Sequence, residues 1–359
     1  VNKFIAPLLA IDGYGQSAQN LFLAMKRKGF PIEFVAHDWR NGEFSKNELL
    51  DCITKEVNPD DTAILYHLPP TLKHYQNTKH LIAFTMWETD KLPKSWVDYL
   101  NHYCDEVFVP SFYCRNVFVS SGVKKPISII PLGIDLDTYK YFDRPYREET
   151  TFLITGKMDI RKNYDMVIRA FQEEFTDPKE KVKLIIKSRK GADVEWNKDE
   201  RITIIADDFT MEEMFDLYKS VDCFVYPTRG EGYGLPPREA MATGLPVILT
   251  NGGSLQEISN PMFSFPVGYE LIKADYPNRD ILGIEEDLGY WMEPNFGELK
   301  KQMREVYRFP ERSKKVGKMA SIQMRSFANP EIGANIIIDK LKQISKRGRG
   351  NVGSHPVGR

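Results

Sequence analysis

The residues that build covalent or metal-held frameworks are scarce in this sequence. Among 359 residues there are four cysteines, Cys52, Cys104, Cys114 and Cys223. None stands in a CxxC spacing, which excludes a zinc ribbon and a disulfide-dense small fold. Cys223, inside Cys223-Phe224-Val225-Tyr226, reads as a small buried hydrophobe. The six histidines form no HExxH and no cluster, so no structural zinc is expected. No apolar run nears the roughly 20 residues that a membrane-spanning helix needs. No basic segment leading into an apolar stretch opens the sequence, and a reducing, cytoplasmic setting is expected. Net charge is almost absent too, with 49 Lys plus Arg against 50 Asp plus Glu. That balance argues against a broadly basic nucleic-acid binder and against a disordered acidic chain. Internal sequence repeats are missing as well.

What is present is ordinary globular material, 42% apolar and 28% charged, in a length that suggests two domains. Short β-rich runs alternate with amphipathic segments. Phe4–Ile11, Ile32–Ala36, Ala63–His67, Leu81–Phe84, Glu106–Val109 and Ile127–Ile130 read as strands, with helices at Gln16–Lys28 and Ser111–Ser120, Ser111 being the N-cap. A second series follows at Thr151–Thr155, Val182–Ser188, Ile202–Ile205, Asp222–Pro227 and Pro246–Thr250. Between the third and fourth of these, Thr210-Met211-Glu212-Glu213 opens a helix with a capping box that ends near Ser220. Strands apolar on both faces and separated by helices imply parallel sheets covered on both sides. The expected fold class is α/β, with two Rossmann-like doubly wound domains facing a cleft. The first takes residues 1–140 and the second 141–325, with the joint at Pro131–Arg147. Residues 261–295 look irregular. Helical periodicity returns at Gly297–Tyr307 and Ile332–Ile344. Residues 326–345 are expected to form a helix crossing back to the first domain, and 346–359 a disordered tail.

In doubly wound sheets, ligands bind beyond the carboxyl ends of the strands, so the strand ends rank the motifs. The run from Arg229 to Ile248 follows the strand ending at Pro227. Its Gly230, Gly232 and Gly234 let backbone approach a ligand and present N–H groups. Pro236 and Pro237 suit a first helical turn and Gly244 a stop. Glu239 then lies near the start of a short helix, where the dipole is expected to keep its carboxylate ionised. Glu231 lies on the loop before it. The two carboxylates can accept hydrogen bonds from two sets of hydroxyls, and the helix end between them can hold a phosphate. A plain turn with a capping Glu explains Glu239 but leaves three glycines and Glu231 unexplained.

Gly156-Lys157-Met158-Asp159-Ile160-Arg161-Lys162-Asn163 follows the first strand of the second domain. A glycine turn carrying three cations ahead of a helix suits a diphosphate. Cations there oppose the helix dipole, which favours a functional cause over a solvated cluster. In the first domain, Asp12-Gly13-Tyr14-Gly15-Gln16-Ser17 closes a strand and opens a helix. It lacks the third glycine of GxGxxG, which counts against a dinucleotide dehydrogenase. His67 and Glu88 end strands and are expected to face the cleft, whereas Trp87 reads as a core residue. Lys26-Arg27-Lys28, at a helix end, reads as solvated charge and leaves contact with an anionic surface open.

The Arg229–Ile248 segment resembles the E-x7-E signature of GT-B glycosyltransferases, specifically the retaining glycosyltransferase family 4, with Glu231 and Glu239 at its two Glu positions. Tyr218–Pro227, Ile130–Asp135 and Thr250–Ile258 resemble further family segments. The resemblance implies a GT-B architecture and transfer of a sugar, with retention, from a nucleotide-diphosphate sugar to a hydroxyl of a glycan, a lipid-linked glycan or a small molecule. It also implies that Glu231 faces the sugar and Glu239 binds the ribose. Lys162, with Arg161 or Lys157 in place of the family's Arg, would meet the diphosphate. Gly156, Gly232, Tyr233, Gly234 and Leu235 belong to the donor side, and Gly13, Gly15, His67 and Glu88 to the acceptor or phosphate side. Where many members carry a His, this chain reads Met86-Trp87-Glu88. Asp135-Leu136-Asp137 has the form of a metal-binding DxD but falls in the linker, and Asp207-Asp208 reads as the loop beside the nucleobase, so no metal or other cofactor is expected. The partners implied are the nucleotide sugar and the acceptor, with no nucleic acid. The setting would be cytoplasmic, with peripheral contact at a membrane's inner face for a lipid-linked acceptor. A non-catalytic nucleotide-sugar or glycan binder on the same scaffold is the alternative.

Overall fold

The computed structural model describes residues 1–7, 13–37, 49, 52–54, 56–191, 199–276, 279, 284 and 286–350, with side chains to 346. Runs such as Phe4–Pro7, Cys223–Tyr226 and Val247–Thr250 are buried along their whole length. Such runs need cover on both faces, which parallel sheets with crossover helices supply. The first sheet holds β1 (Asn2–Pro7), β2 (Glu33–His37), β3 (Ile53–Thr54), β4 (Thr62–Tyr66), β5 (His80–Phe84), β6 (Glu106–Val109) and β7 (Ile127–Ile129). Its spatial order is β3-β2-β1-β4-β5-β6-β7, all parallel. Helices α1 (Gly13–Arg27), α2 (Lys94–Tyr103) and α3 (Phe112–Ser120) belong to it.

The second sheet holds β8 (Thr150–Thr155), β9 (Val182–Ser188), β10 (Ile202–Ala206), β11 (Cys223–Tyr226), β12 (Val247–Thr250) and β13 (Phe265–Val267), ordered β10-β9-β8-β11-β12-β13. Helices α4 (Tyr164–Glu174), α5 (Met211–Ser220) and α6 (Leu235–Ala242) connect its strands. The order reverses between β1 and β4 in one sheet and between β8 and β11 in the other. Each reversal opens a crevice at the strand ends, and the two crevices face each other.

Most strand and helix ends differ from expectation by a residue or two, α1 opens three residues early at Gly13, and the part of the expected first strand beyond Pro7 lies outside the described residues. Ser111 is an N-cap whose Oγ accepts from the Cys114 N–H, and the Thr210 capping box is complete. Several elements escaped the periodicity reading, the short strands β3 and β13 among them. Helix α2 turns its Trp96, Val97 and Leu100 inward. The segment expected to be irregular contains an antiparallel hairpin, β14 (Tyr269–Lys273) with β15 (Tyr290–Pro294). After α7 (Phe296–Arg308), helix α8 (Pro310–Phe327) buries Ser313, Gly317, Ala320 and Ser321 alongside Val316 and Met324. Its contact face is small rather than apolar because it lies close against the end of α6. A Cβ at Gly317 would fall on the Gly244 carbonyl oxygen.

Helix α9 (Pro330–Gly350) runs past residue 345, so the expected tail is helical to Gly350, and 351–359 lie outside the described residues. Helix α9 packs on α1 of the first domain. The Ile134 N–H donates to the Ala328 carbonyl at 2.8 Å as the chain crosses. Lys28 meets Glu331 at 2.5 Å and Arg27 meets it at 3.4 Å. Two cations considered for an anionic surface therefore fasten α9. One apolar cluster runs from Phe4, Phe22 and Phe34 through the linker residues Ile130, Leu132, Ile134 and Tyr139 to Met241, Ala320 and Ile337. That continuous core joins the domains behind the cleft.

Candidate active site

Between the two strand-end crevices lies a cavity of about 690 Å³, within the range of small-molecule sites. Gly13, Tyr14, Gln16, Met86 and Glu88 line it from the first domain. From the second come the β8 turn with Gly156, Lys157, Arg161 and Lys162, the loop Glu231–Leu235, and Glu239. Lys187 at the end of β9 and Arg189 just past it, with Asp208 and Phe209 after β10, line it as well.

Four side chains converge on one oxygen of Glu231. Its Oε1 accepts from Arg161 Nη1 at 2.7 Å, Lys162 Nζ at 2.6 Å, Tyr226 Oη at 3.0 Å and Thr228 Oγ1 at 3.1 Å. Local structure delivers these partners. The β8 turn opens at Gly156, whose φ of 136° favours glycine. A short 3₁₀ turn, Ile160–Lys162, is capped by Asp159 and carries both cations toward β11. Tyr226 ends β11, and Thr228 starts the glycine loop. Burial alone would raise the Glu231 carboxyl, but Lys162 and Arg161 outweigh it and hold it at about 2. Burial pulls Lys162 down, with Glu231 opposing. Two buried cations thus share one buried carboxylate, which compensates part of their charge.

Glu239 stands at another part of the cavity in a different electrostatic state. Its Oε2 accepts from Tyr218 Oη at 3.2 Å. Burial pushes its carboxyl up to about 7, with the Tyr218 hydrogen bond and Lys187 pulling the other way. The expectation that the helix dipole keeps it ionised is corrected here. Glu239 is the fifth residue of α6, beyond the first turn where the dipole acts, and 6% exposed, so desolvation wins.

The loop between the two carboxylates is held from within. Arg238 is buried, stacks its guanidinium 3.9 Å from the Tyr233 ring centroid, and donates to the Tyr233 and Gly234 carbonyls. Pro236 and Pro237 carry no N–H, which leaves the loop amides to serve as donors at this helix end. The first domain presses on the same loop. Ser111 Oγ donates to the Gly232 carbonyl at 2.8 Å, and a Cβ at Gly232 would meet Met86 at 2.8 Å.

The structure thus brings together Gly156, Lys157, Arg161, Lys162, Glu231, Gly232, Tyr233, Gly234, Leu235, Glu239, Gly13 and Glu88. Two expected residues do not line the cavity. His67, just past the end of β4, packs edge-on against His37 at the end of β2, with ring centroids 4.7 Å apart. Gly15 is buried in the first turns of α1, while its neighbours Tyr14 and Gln16 reach the cavity. Of the two candidates to replace the family's Arg, Arg161 is engaged with Glu231 and Lys157 is exposed. Trp87 is a core residue, 3% exposed, donating to Thr89 and the Lys91 carbonyl. Asp135 uses Oδ1 to accept the Asp137 and Thr138 N–H groups, an Asx turn in the linker. Among the described residues, no group of three or more His, Cys, Asp and Glu is placed to hold a metal ion. Sequence reasoning missed Tyr226, Thr228, Arg238, Lys187 and Arg189. Lys187-Ser188-Arg189 stands at a strand's carboxyl end, and the strand-end rule could have found it.

Residues 149–266 match the family model for Glycosyl transferases group 1. The O-antigen chain mannosyltransferase B of Escherichia coli is 28% identical over 169 residues, 44% of this chain and 40% of that protein. The alpha-monoglucosyldiacylglycerol synthase of Streptococcus pneumoniae is 27% identical over 213 residues, 53% of this chain and 47% of that one. The matches thus span less than half the length of these two curated relatives. Among solved structures, sucrose-phosphate synthase from Thermosynechococcus elongatus superposes with a TM-score of 0.72 at 14% identity, covering 96% of this chain and 99% of that one. Residues 149–266 therefore carry the Glycosyl transferases group 1 match, in a chain whose two facing parallel-sheet domains have the GT-B fold.

Proposed function

We propose that the protein is a retaining glycosyltransferase that moves a sugar from a nucleotide-diphosphate sugar to an acceptor hydroxyl without a metal ion. The observation that carries this reading is the buried Glu231–Arg161–Lys162 cluster sharing one cavity with Glu239. Glu239 would accept the ribose hydroxyls. Lys162 and Arg161 would face the diphosphate, so that side-chain cations meet the charge growing on the leaving group as the bond to the sugar breaks. Preorganised charge of this kind is the main catalytic term the site can offer. Glu231, with Oε1 fixed by four donors, would present Oε2 to the sugar hydroxyls and hold the ring in register. The Gly232–Gly234 amides would contact sugar or phosphate. The acceptor hydroxyl would approach from the first-domain wall formed by Tyr14, Met86 and Glu88.

The test is a donor screen. UDP-, GDP-, ADP- and dTDP-sugars are incubated with glycan, lipid-linked and small-molecule acceptors, and nucleotide release is measured with and without EDTA. Acceptor-dependent release that survives EDTA is expected, with a product of the donor's anomeric configuration by NMR. No release from any donor favours the non-catalytic binder, and loss in EDTA removes the metal-free part. An inverted product removes retention. A lipid-linked acceptor would bring the protein to a membrane surface, which co-sedimentation with anionic vesicles checks. Among the described residues no helix is long and apolar enough to cross a membrane.

A further inference from the structure

Besides the linker and α9, a third connection joins the domains: the segment between β14 and β15. Its Ala274, Ile284 and Leu288, with Trp291 of β15, lodge in the first domain's cluster of Trp87, Leu92 and Trp96. Thr89 Oγ1 donates to the Leu288 carbonyl at 2.6 Å, and the Tyr290 N–H donates to Asp90 Oδ1 at 2.7 Å. On this strap Tyr276 stacks against Trp87, with ring centroids 5.7 Å and planes 14° apart. Its hydroxyl donates to Glu88 Oε2. Glu88 Oε1 then faces Arg161 Nη2 across the cleft at 3.3 Å.

A guanidinium has five N–H donors. Nη1 of Arg161 donates to the Gly230 carbonyl and to Glu231 Oε1, each at 2.7 Å. Among the described residues, that leaves Nη2 and Nε as the donors an incoming anion can claim. The 3.3 Å separation of Nη2 from Glu88 exceeds the roughly 2.7–2.9 Å of a tight charge-assisted bond. Glu88 therefore stands off the guanidinium rather than clasping it. Tyr276, holding Oε2, restrains the carboxylate at that distance. Glu231, Lys162 and Asp159 complete the charged surroundings of Glu88.

We infer that Glu88 is an electrostatic placeholder for the donor diphosphate on Arg161, and that Tyr276 is the positioning residue that sets how strongly Glu88 competes. Held by the phenol, the carboxylate leaves Nη2 within reach of a diphosphate. Released from it, the carboxylate closes on the guanidinium. Once a diphosphate takes Nη2, Glu88 Oε1 is left on the acceptor side to receive a substrate hydroxyl. The inference rests on the nucleotide-sugar reading above.

Isothermal titration of GDP and of UDP into the full chain tests it, using the parent, Tyr276→Phe, Glu88→Gln and the double variant. Phenylalanine keeps the stack on Trp87 and removes only the hydroxyl. Glu88→Gln should tighten nucleotide binding roughly two- to tenfold and Tyr276→Phe should weaken it by a similar factor, the range expected of coupled neighbours. In the Glu88→Gln background, Tyr276→Phe should change nothing. If Glu88→Gln fails to fold, Glu88→Ala takes its place. A Tyr276→Phe loss that persists undiminished without Glu88 would show a merely structural strap and overturn the inference, as would weaker binding in Glu88→Gln. Nucleotide binding without this coupling overturns the inference alone. No binding of either nucleotide to the parent overturns the nucleotide-sugar reading with it.

Discussion

Glu239→Gln should make the free protein more stable and its nucleotide binding weaker, and both effects follow from one desolvated carboxylate. The Glu239 pKa rises from 4.5 to about 7 on folding. At about 1.4 kcal/mol per unit, the ionised group costs the folded state on the order of 3 kcal/mol above pH 7. The sign is opposite to that of a salt-bridged carboxylate. Stability falls as pH rises from about 4.5 through about 7 and returns on acidification, because the folded state binds the proton more tightly. A glutamine carries no charge to desolvate and still reaches Tyr218. The melting temperature at pH 8 should therefore rise, by up to roughly 6–12 °C for a domain of this size, with almost no gain near pH 4.5. GDP or UDP affinity should drop roughly 10- to 150-fold, the worth of one charge-assisted hydrogen bond to a ribose hydroxyl. Thermal melts at pH 4.5 and pH 8 with nucleotide titrations measure both. A variant less stable at pH 8, or equally stabilised at both pH values, would refute the burial argument. Unchanged affinity would take Glu239 out of the ribose role.

Glu231→Gln should act in the reverse sense, leaving buried Arg161 and Lys162 short of a counter-charge at a cost of roughly 3–5 kcal/mol. The depressed Glu231 pKa makes its contribution full above about 4.5 and lost as pH falls toward about 2, so the gap in melting temperature from the parent should narrow on acidification. A constant gap would contradict this. Gly230→Ala would set a Cβ on the Glu88 carbonyl oxygen. Donor turnover should be lost with the circular dichroism spectrum kept, and faster hydrogen exchange at 86–89 should accompany it; full turnover would show that the domains do not need this contact. Arg144→Met should cost about 3 kcal/mol or more. It deletes buried hydrogen bonds to the Tyr218, Val221 and Gly244 carbonyls and to Thr243 Oγ1. A denaturant midpoint unchanged from the parent would show those groups satisfied otherwise.

Much of the architecture was legible because it rests on local pattern. Apolar runs of strand length, separated by helix-length stretches, are buried as parallel sheets with crossovers, and the strand-end rule then pointed to the Arg229–Ile248 and Gly156–Asn163 segments, residues of which line the cavity. Capping at Ser111 and Thr210 is a contact within four residues, so sequence carries it whole. Helix α8 was not legible, since its contact face is built from serine, alanine and glycine chosen for close approach to α6. Hydrophobic periodicity is silent on that choice. The β14–β15 strap was not legible either, because its apolar residues are scattered and find their partners in the other domain.

The amino-acid sequence by itself determined two Rossmann-like series and the residue types at their strand ends. Two carboxylates, a glycine loop and a knot of cations were all readable. Their relative placement belongs to the tertiary structure. Only folding brings Glu88 to Arg161, gathers four donors on Glu231 Oε1, and sets His67 against His37. It also divides two similar glutamates into a strongly acidic one and one that titrates near neutrality. The physical reason is that a pKa, and contacts such as Glu88–Arg161 and Lys162–Glu231, depend on desolvation and on neighbours distant in sequence, and no local pattern encodes either.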